Sequence, residues 1–176
     1  MLRGCNKRAP FFRQMECTLL KRLLFAFLLA ITATALWAEE ARELYWEDLM
    51  PEGFNALAAP PVSHENSMAQ LQPDAPLVES LDGEIVRIPG FVVPLEGSAD
   101  STTEFLLVPY FGACIHVPPP PSNQIVYVKF SEGVKIENLY DAIWVTGKLS
   151  TKGWKGDIAS VGYTLQGQDI SAFDEF

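Results

Sequence analysis

An apolar run at residues 85–95 constrains the fold of this chain more than any other feature of its sequence. The run is rich in Ile, Val and Phe, which favour extended strands, and a turn signal at 81–84 precedes it. Pro89 and Gly90 interrupt the run, and inside a strand such a pair indicates a bulge or a sharp bend. We therefore predict a strand with a bulge or a sharp bend at Pro89-Gly90.

Further short apolar or alternating segments predict strands, whereas convincing helical periodicity is almost absent. These segments are 104–108, 124–130, 142–149 and 158–165. Within the third of them, Gly147 indicates a bulge or close packing. Five short strands predict a mainly β fold, a small, partly open barrel that resembles the OB-fold, with a β-sandwich as the alternative. The helix often found between the third and fourth strands of an OB-fold would have to come from the weakly patterned segment 134–140.

Residues 1–38 have the pattern of a secretory signal peptide. Six basic residues precede the apolar run 23–38, and small residues end that run. We predict cleavage after Ala38, a periplasmic location and no stable membrane span after cleavage. A start at Met15 would leave the same signal, and a retained membrane anchor is the alternative to cleavage.

The segment 39–76 is predicted to connect the signal peptide to a barrel domain at 77–176. The apolar residues of 44–50 have spacings that suit one face of a short helix, which Pro51 would end. Pro, Ser, Asn, Gln and Asp dominate 60–76 without an apolar period, which indicates an extended surface arm.

The acidic charge of the chain argues against nucleic acid as a partner. Residues 1–38 contain six of the 13 Lys and Arg residues but one of the 22 Asp and Glu residues, so their removal changes the formal charge from −9 to −14. Such a surface repels a polyanion, and no basic cluster follows Arg22. The acidity favours cations or a basic protein partner, or it serves only to keep an exported domain soluble.

Cys114 and His116 are the candidate metal ligands. If their segment is extended, the i, i+2 spacing places both side chains on one face, where a thiolate and an imidazole suit zinc or copper. Cys5 and Cys17 lie within the predicted signal peptide, so Cys114 is the single cysteine of the mature chain and cannot form an intramolecular disulfide.

Two ligands are too few for a structural metal site. His64 and Glu104 are the candidate third ligands, and water or a second chain could also complete the shell. The alternative is a buried structural Cys114 beside a hydrogen-bonded His116.

The run Pro118, Pro119, Pro120 and Pro121 is a candidate partner-binding element. Consecutive prolines favour a stiff polyproline II conformation, which can dock into an aromatic groove on another protein. The alternative is a stiff connection into the next strand. No phosphate-binding loop, nucleophile-elbow serine or two-cysteine redox motif is present, so we do not expect an enzyme, and we assign no catalytic residue.

Several uncommon short sequence motifs occur together along the chain. They are Tyr45-Trp-Glu-Asp-Leu49, Ile88-Pro-Gly-Phe-Val-Val-Pro-Leu-Glu96, Phe105-Leu-Leu-Val-Pro-Tyr-Phe-Gly-Ala-Cys-Ile-His116 and Trp144-Val-Thr-Gly147. Through these motifs the chain resembles the bacterial exported proteins catalogued as domain of unknown function 3299. The resemblance covers about residues 44–166. The resemblance implies a small exported protein without an assigned reaction, and some members are similar to products encoded beside metal-handling ABC-transporter components.

The sequence therefore supports two hypotheses. In the first, a periplasmic accessory protein binds or hands on zinc or copper through Cys114 and His116, in association with an ABC-type transport system. In the second, an envelope interaction module without metal uses its proline-rich loop and acidic surface.

Overall fold

The computed structural model describes residues 40–54, 69–70, 72–98 and 100–173, and this part of the chain is mainly β structure. Its strands are β1 (Arg42–Glu43), β2 (Ile85–Ser98), β3 (Ser101–Val108), β4 (Val126–Val134), β5 (Ile143–Ser150), β6 (Trp154–Lys155), β7 (Ser160–Val161) and β8 (Tyr163–Ala172). Its helical elements are short 3-10 turns at Trp46–Leu49, Glu79–Leu81 and Ser122–Gln124.

Five of the strands close into a barrel. The order is β2-β3-β4-β8-β5, and β5 pairs back with β2 to close it. All neighbours are antiparallel except β4 and β8, which are parallel. One parallel pair between the third and last barrel strands is the OB-fold arrangement. The predicted five-stranded OB-like barrel is confirmed, although the barrel is closed rather than partly open, and the β-sandwich alternative is wrong.

The long strand β2 closes the barrel because it serves two neighbours. Residues 85–90 pair with β5, and the strand pairs with β3 from Phe91 onward. The predicted bend at Pro89-Gly90 is thus the position at which the strand changes partners. A Cβ on Gly90 would lie 2.7 Å from a β3 carbonyl oxygen, so glycine permits this close approach. The register shifts that mark a bulge lie later, within 94–97.

Gly147 combines both features predicted for it. The register between β5 and β8 shifts between Thr146 and Gly147. A side chain at Gly147 would collide with the backbone carbonyl of Gln166, so the two strands meet closely at this point.

Two hydrophobic clusters stabilise the barrel, one inside it and one on an outer face. Alternation along β3 separates them, because Phe105 and Leu107 belong to the interior cluster while Leu106 and Val108 belong to the outer one. The interior cluster includes Leu44, Leu49, Ile88, Val128, Leu149, Tyr163 and Leu165. The outer cluster includes Val93, Ala113, Ile125, Ala159 and Val161. Strand β3 is therefore buried on both faces.

The N-terminal segment 40–54 packs on the barrel, but its predicted helix is reduced to one 3-10 turn. Strand β1 pairs in parallel with β2, and the turn at Trp46–Leu49 follows. Leu44 and Leu49 are both fully buried, and a spacing of five residues would place them far apart around an α-helix. An extended step followed by a single turn buries both leucines. The segment 134–140, suggested as the helix of the OB-fold, is not helical either.

The last barrel strand begins and ends later than the predicted strand 158–165. Strand β8 spans Tyr163–Ala172 and therefore includes the polar residues 166–172, which lie beyond the predicted strand. These residues pair with β5 along their length, and their polar side chains remain largely exposed. Pairing with β5 therefore extends β8 over residues that have no apolar alternation of their own.

Within the described residues, none of the helices has the length and apolar character needed to span a bilayer. The predicted signal peptide at 1–38 and most of the predicted arm at 60–76 lie outside the described residues, so both stay predictions.

Candidate functional site

The segment that carries Cys114 and His116 forms a compact turn rather than the extended strand on which their pairing was based. The backbone N–H of His116 donates a 2.8 Å hydrogen bond to the carbonyl of Gly112, and the N–H groups of Ile115 and Val117 reach the same oxygen at 3.3 Å. Gly112 has a φ of +83° and Cys114 a φ of +64°. The chain therefore curls around one carbonyl, and strand alternation does not place the two side chains together.

Cys114 packs against the outer hydrophobic cluster. The thiol is partly buried beside this cluster, to which Tyr127 and Trp154 also contribute. Burial raises its pKa to about 11. At neutral pH the group is thus a protonated thiol, which must lose its proton before it can bind a metal.

His116 lies in different surroundings from Cys114. It is exposed, and a Cβ added to Gly112 would come within 3.5 Å of the imidazole Cδ2, so the ring covers that glycine. The imidazole lines a cavity with Phe111 and Ile115, and Cys114 does not line this cavity.

Glu104, one of the two candidate third ligands, is already held by other side chains. Both carboxylate oxygens of Glu104 already have partners, since the Tyr127 hydroxyl donates to Oε2 at 2.6 Å and the Lys129 ammonium donates to Oε1 at 2.5 Å. These hydrogen bonds lower the pKa of Glu104, and the bond from Lys129 has the larger effect. His64 lies outside the described residues. Among the residues that are described, no three His, Cys, Asp or Glu side chains gather as metal ligands would, and the metal site stays a prediction.

The proline run is partly covered by the chain that precedes the barrel. Pro119 and Pro120 are buried, whereas Pro118 and Pro121 are half-buried. The side-chain amide of Gln70 donates a 2.8 Å hydrogen bond to the carbonyl of Pro120. The run is thus a firm base for the turn above it, and it exposes little of its own surface to a partner.

An exposed aromatic surface lies beside this turn, and the sequence analysis missed it. We call it the aromatic groove; its residues are Phe91, Phe111, Ile115, Leu139 and Tyr140. Tyr140 is 72% exposed, Ile115 53% and Phe111 49%. The ring centroids of Phe111 and Tyr140 are 5.2 Å apart, and Phe91 meets Phe111 at 6.1 Å. Two loops, 109–125 and 135–142, thus present a joint apolar surface to solvent.

A larger cavity of about 590 Å³ continues from the aromatic groove. The two share Phe91 and Tyr140, and Trp46 and Phe173 extend the apolar lining. The charged residues on this wall are acidic, Glu47 and Asp141, and no lysine or arginine lines either cavity in the described part of the chain.

The face that many OB-folds use for oligonucleotides or oligosaccharides is occupied here by the protein itself. That face lies over the second and third barrel strands and the loop between the fourth and fifth. In this chain the loop between β5 and β8 folds back, and the ring of Trp154 stacks on Tyr127 with centroids 4.6 Å apart. The outer cluster packs on the same face, where Leu106 and Val108 of β3 contribute to it.

The chain matches one known protein family. The family described as Protein of unknown function (DUF3299) matches residues 46–172. The chain belongs to this family. The resemblance found in the sequence motifs is therefore confirmed, and the family description assigns no reaction.

A solved structure of another family member supports the same fold. A DUF3299 family protein from Pseudomonas aeruginosa PAO1, known from a crystal structure, is 42% identical, covers 77% of this chain and 98% of its own, and has a TM-score of 0.66. No curated protein matches the chain.

Proposed function

We propose that this protein is an exported, non-enzymatic accessory protein of the bacterial cell envelope that binds a partner protein through the aromatic groove. The observation that carries the proposal is the exposure of three large apolar side chains, Phe111, Ile115 and Tyr140, on two neighbouring loops. Contiguous exposed apolar surface is uncommon on monomeric proteins and marks interaction sites. The site lies beside the proline run rather than on it, which changes the location but not the kind of role proposed from the sequence.

The rigidity of the loop supports binding rather than accidental exposure. Three backbone N–H groups converge on the Gly112 carbonyl, and buried Pro119 and Pro120 hold the end of the turn. Phe111 and Ile115 are therefore presented from a fixed backbone. An arrangement fixed in advance lowers the entropic cost of association.

The chemistry of the groove defines its partner. Glu47 and Asp141 line the adjoining cavity, and the whole chain has a formal charge of −9. An apolar or aromatic side chain flanked by lysine or arginine fits this combination, since opposite potentials steer association and exclude acidic competitors. The partner is thus a basic segment of an envelope protein. A component of an ABC-type transport system is the class of partner that the sequence resemblance suggests.

Zinc or copper binding at Cys114 and His116 remains a separate prediction. Its difficulty is the site's geometry, because the thiol packs on the outer cluster while the imidazole lines the groove. A metal bound by both would require the turn to rearrange and at least two more ligands to come from His64, water or a partner.

Affinity capture from solubilised bacterial envelope tests the proposal through matched variants. Tyr140→Ala removes the most exposed groove residue, and Ile158→Ala removes an exposed apolar residue, 42% exposed, that does not line the groove. We expect one envelope protein to bind the unmodified protein and Ile158→Ala, and to bind Tyr140→Ala about tenfold more weakly. Added salt should release it, because the partner is basic. Equal capture by both variants, or no protein that distinguishes them, would contradict the proposal.

A further inference from the structure

Polar side chains form an ordered array on the outer face of three neighbouring barrel strands. In β-sheet register, Lys129 of β4 lies beside Gln166 of β8, and Gln166 lies beside Lys148 of β5. The next row consists of Tyr127, Thr164 and Ser150. We call these six residues the lysine grid. Side chains in one register row lie on one face of a sheet, so all six surround the same surface.

The alternation of burial confirms that the grid faces outward. Val128, Leu149 and Leu165, which separate the grid residues along the three strands, are buried in the barrel interior. Neighbouring strands are about 4.8 Å apart, so the backbones of Lys129 and Lys148 lie on the order of 10 Å apart across Gln166. Their flexible side chains can therefore reach one small ligand above the central strand.

The grid lines a cavity of about 450 Å³, and a third ammonium group joins it. Lys152 lies on the rim, so three of the five lysines in the described residues, 129, 135, 148, 152 and 155, surround one concavity. This is unexpected in a chain with a formal charge of −9. The local charge around this cavity is positive, whereas the net charge of the chain is negative.

The charges in this cavity are only partly neutralised. Lys129 is paired with Glu104, but Lys148 and Lys152 form no ion pair within the described residues. Asp82 also lines the cavity, and its Oδ1 accepts 2.9 Å hydrogen bonds from the Ser150 hydroxyl and a backbone N–H. Lys148 and Lys152 thus lack an ion-pair partner, while the Asp82 carboxylate offsets one of their two positive charges.

Neutral donors complete the set. The hydroxyl of Thr164 has no hydrogen-bond partner within the described part of the chain, and the Gln166 amide makes only a long 3.5 Å contact with the carbonyl of Lys129. Ammonium, hydroxyl and amide donors on one concave surface match the several acceptor oxygens of a phosphate group.

We propose that the lysine grid binds the phosphate group of a small phosphorylated ligand. Lys148 and Lys152 outweigh the single negative charge of Asp82, so the cavity attracts an anion, and its volume lies within the range of small-molecule sites, larger than free phosphate requires. The site shares no lining residue with the aromatic groove. It therefore does not depend on the function proposed there.

Titration of the full protein, followed by backbone amide NMR, tests this site with three probes. Inorganic phosphate and glucose 6-phosphate should shift the amides of 148–152 and 164–166, and acetate at the same ionic strength should not. Tighter binding of glucose 6-phosphate than of phosphate would indicate that the rest of the cavity holds the sugar. Equal shifts with acetate, or none with either phosphate probe, would overturn the proposal.

Matched variants distinguish the site from general attraction of anions. Lys148→Ala with Lys152→Ala should weaken phosphate binding about tenfold or more, since hydrogen bonds to charged groups are lost. Lys135→Ala with Lys155→Ala removes the same charge outside the cavity and should leave binding within about twofold. Thr164→Val, which keeps the shape of the side chain, should weaken binding without changing the charge. Equal losses in both double variants would refute the assignment.

Discussion

The reactivity of Cys114 gives a quantitative check on the structure of the turn. Burial raises the pKa of this thiol from 9.0 to about 11. A difference of two pKa units lowers the thiolate fraction at neutral pH about 100-fold. A more basic thiolate is intrinsically more nucleophilic, which raises the rate per thiolate about tenfold and offsets part of that loss. We therefore expect alkylation in the folded protein to be about tenfold slower than in an unstructured chain, and slower still where access is limited.

Iodoacetamide labelling of residues 39–176, which contain Cys114 as their sole cysteine, measures this rate by mass spectrometry. The logarithm of the folded-state rate should still rise with unit slope at about pH 10, because the thiol is only partly ionised there. The same chain in denaturant provides the unstructured control, and its rate should level off at lower pH. Rapid labelling at pH 7, or a plateau below about pH 9, would refute the buried thiol and favour an activated one.

Substitutions at Tyr163, Gly147 and Glu104 test the packing and charge of the barrel, and metal analysis tests the site at Cys114 and His116. Tyr163→Phe removes a buried hydroxyl that donates to the Leu49 carbonyl and accepts from the Val78 N–H, and it should lower the free energy of unfolding by about 2 kcal/mol in urea titrations. Gly147→Ala places a methyl group against a neighbouring carbonyl, and it should cost about 1–3 kcal/mol; an unchanged midpoint would contradict the close approach of these strands. Glu104 has a lowered pKa in the folded state, so its contribution to the free energy of unfolding is present above about pH 4.5 and is lost as the pH falls further. In Glu104→Gln, the free energy of unfolding should therefore fall less between neutral and acid pH. If the metal hypothesis holds, purified protein should contain zinc or copper that Cys114→Ser and His116→Ala both lose, whereas metal-free protein in every form would reject it.

Much of the fold could be predicted because short-range patterns determine it. The apolar run at 85–95 and the break at Pro89-Gly90 predicted a bent strand, and at that position the strand exchanges β5 for β3 as its partner. Gly147 was recognised because a residue without a side chain in a strand predicts either a bulge or a close contact. These features depend on nearby residues alone.

The end of the chain could not be predicted in the same way. The residues 166–172 lack the apolar alternation of a strand, and they are extended because β5 covers their edge. Their conformation depends on a partner about twenty residues earlier in the chain. Propensity and periodicity contain no such information.

The chemistry expected of the candidate site depended on a local conformation that the structure does not have. The sequence singled out Cys114 and His116, and their pairing depended on an extended backbone that the turn replaces. Phe111 and Tyr140 are 29 positions apart and meet only because two loops lie side by side. The apolar pairs 110–111 and 139–140 beside turn residues were the available signal, but exposure is decided by tertiary structure.

Site-specific photo-crosslinking in living cells tests whether the aromatic groove binds a partner protein. A benzoylphenylalanine residue replaces Tyr140 in the aromatic groove or Ile158 outside it, two exposed positions on the same barrel. We expect a single crosslinked envelope protein at position 140, with a basic segment at the site of attachment, and no such product at 158. Crosslinks of equal yield at both positions, or none at 140, would contradict a partner-binding role for the groove.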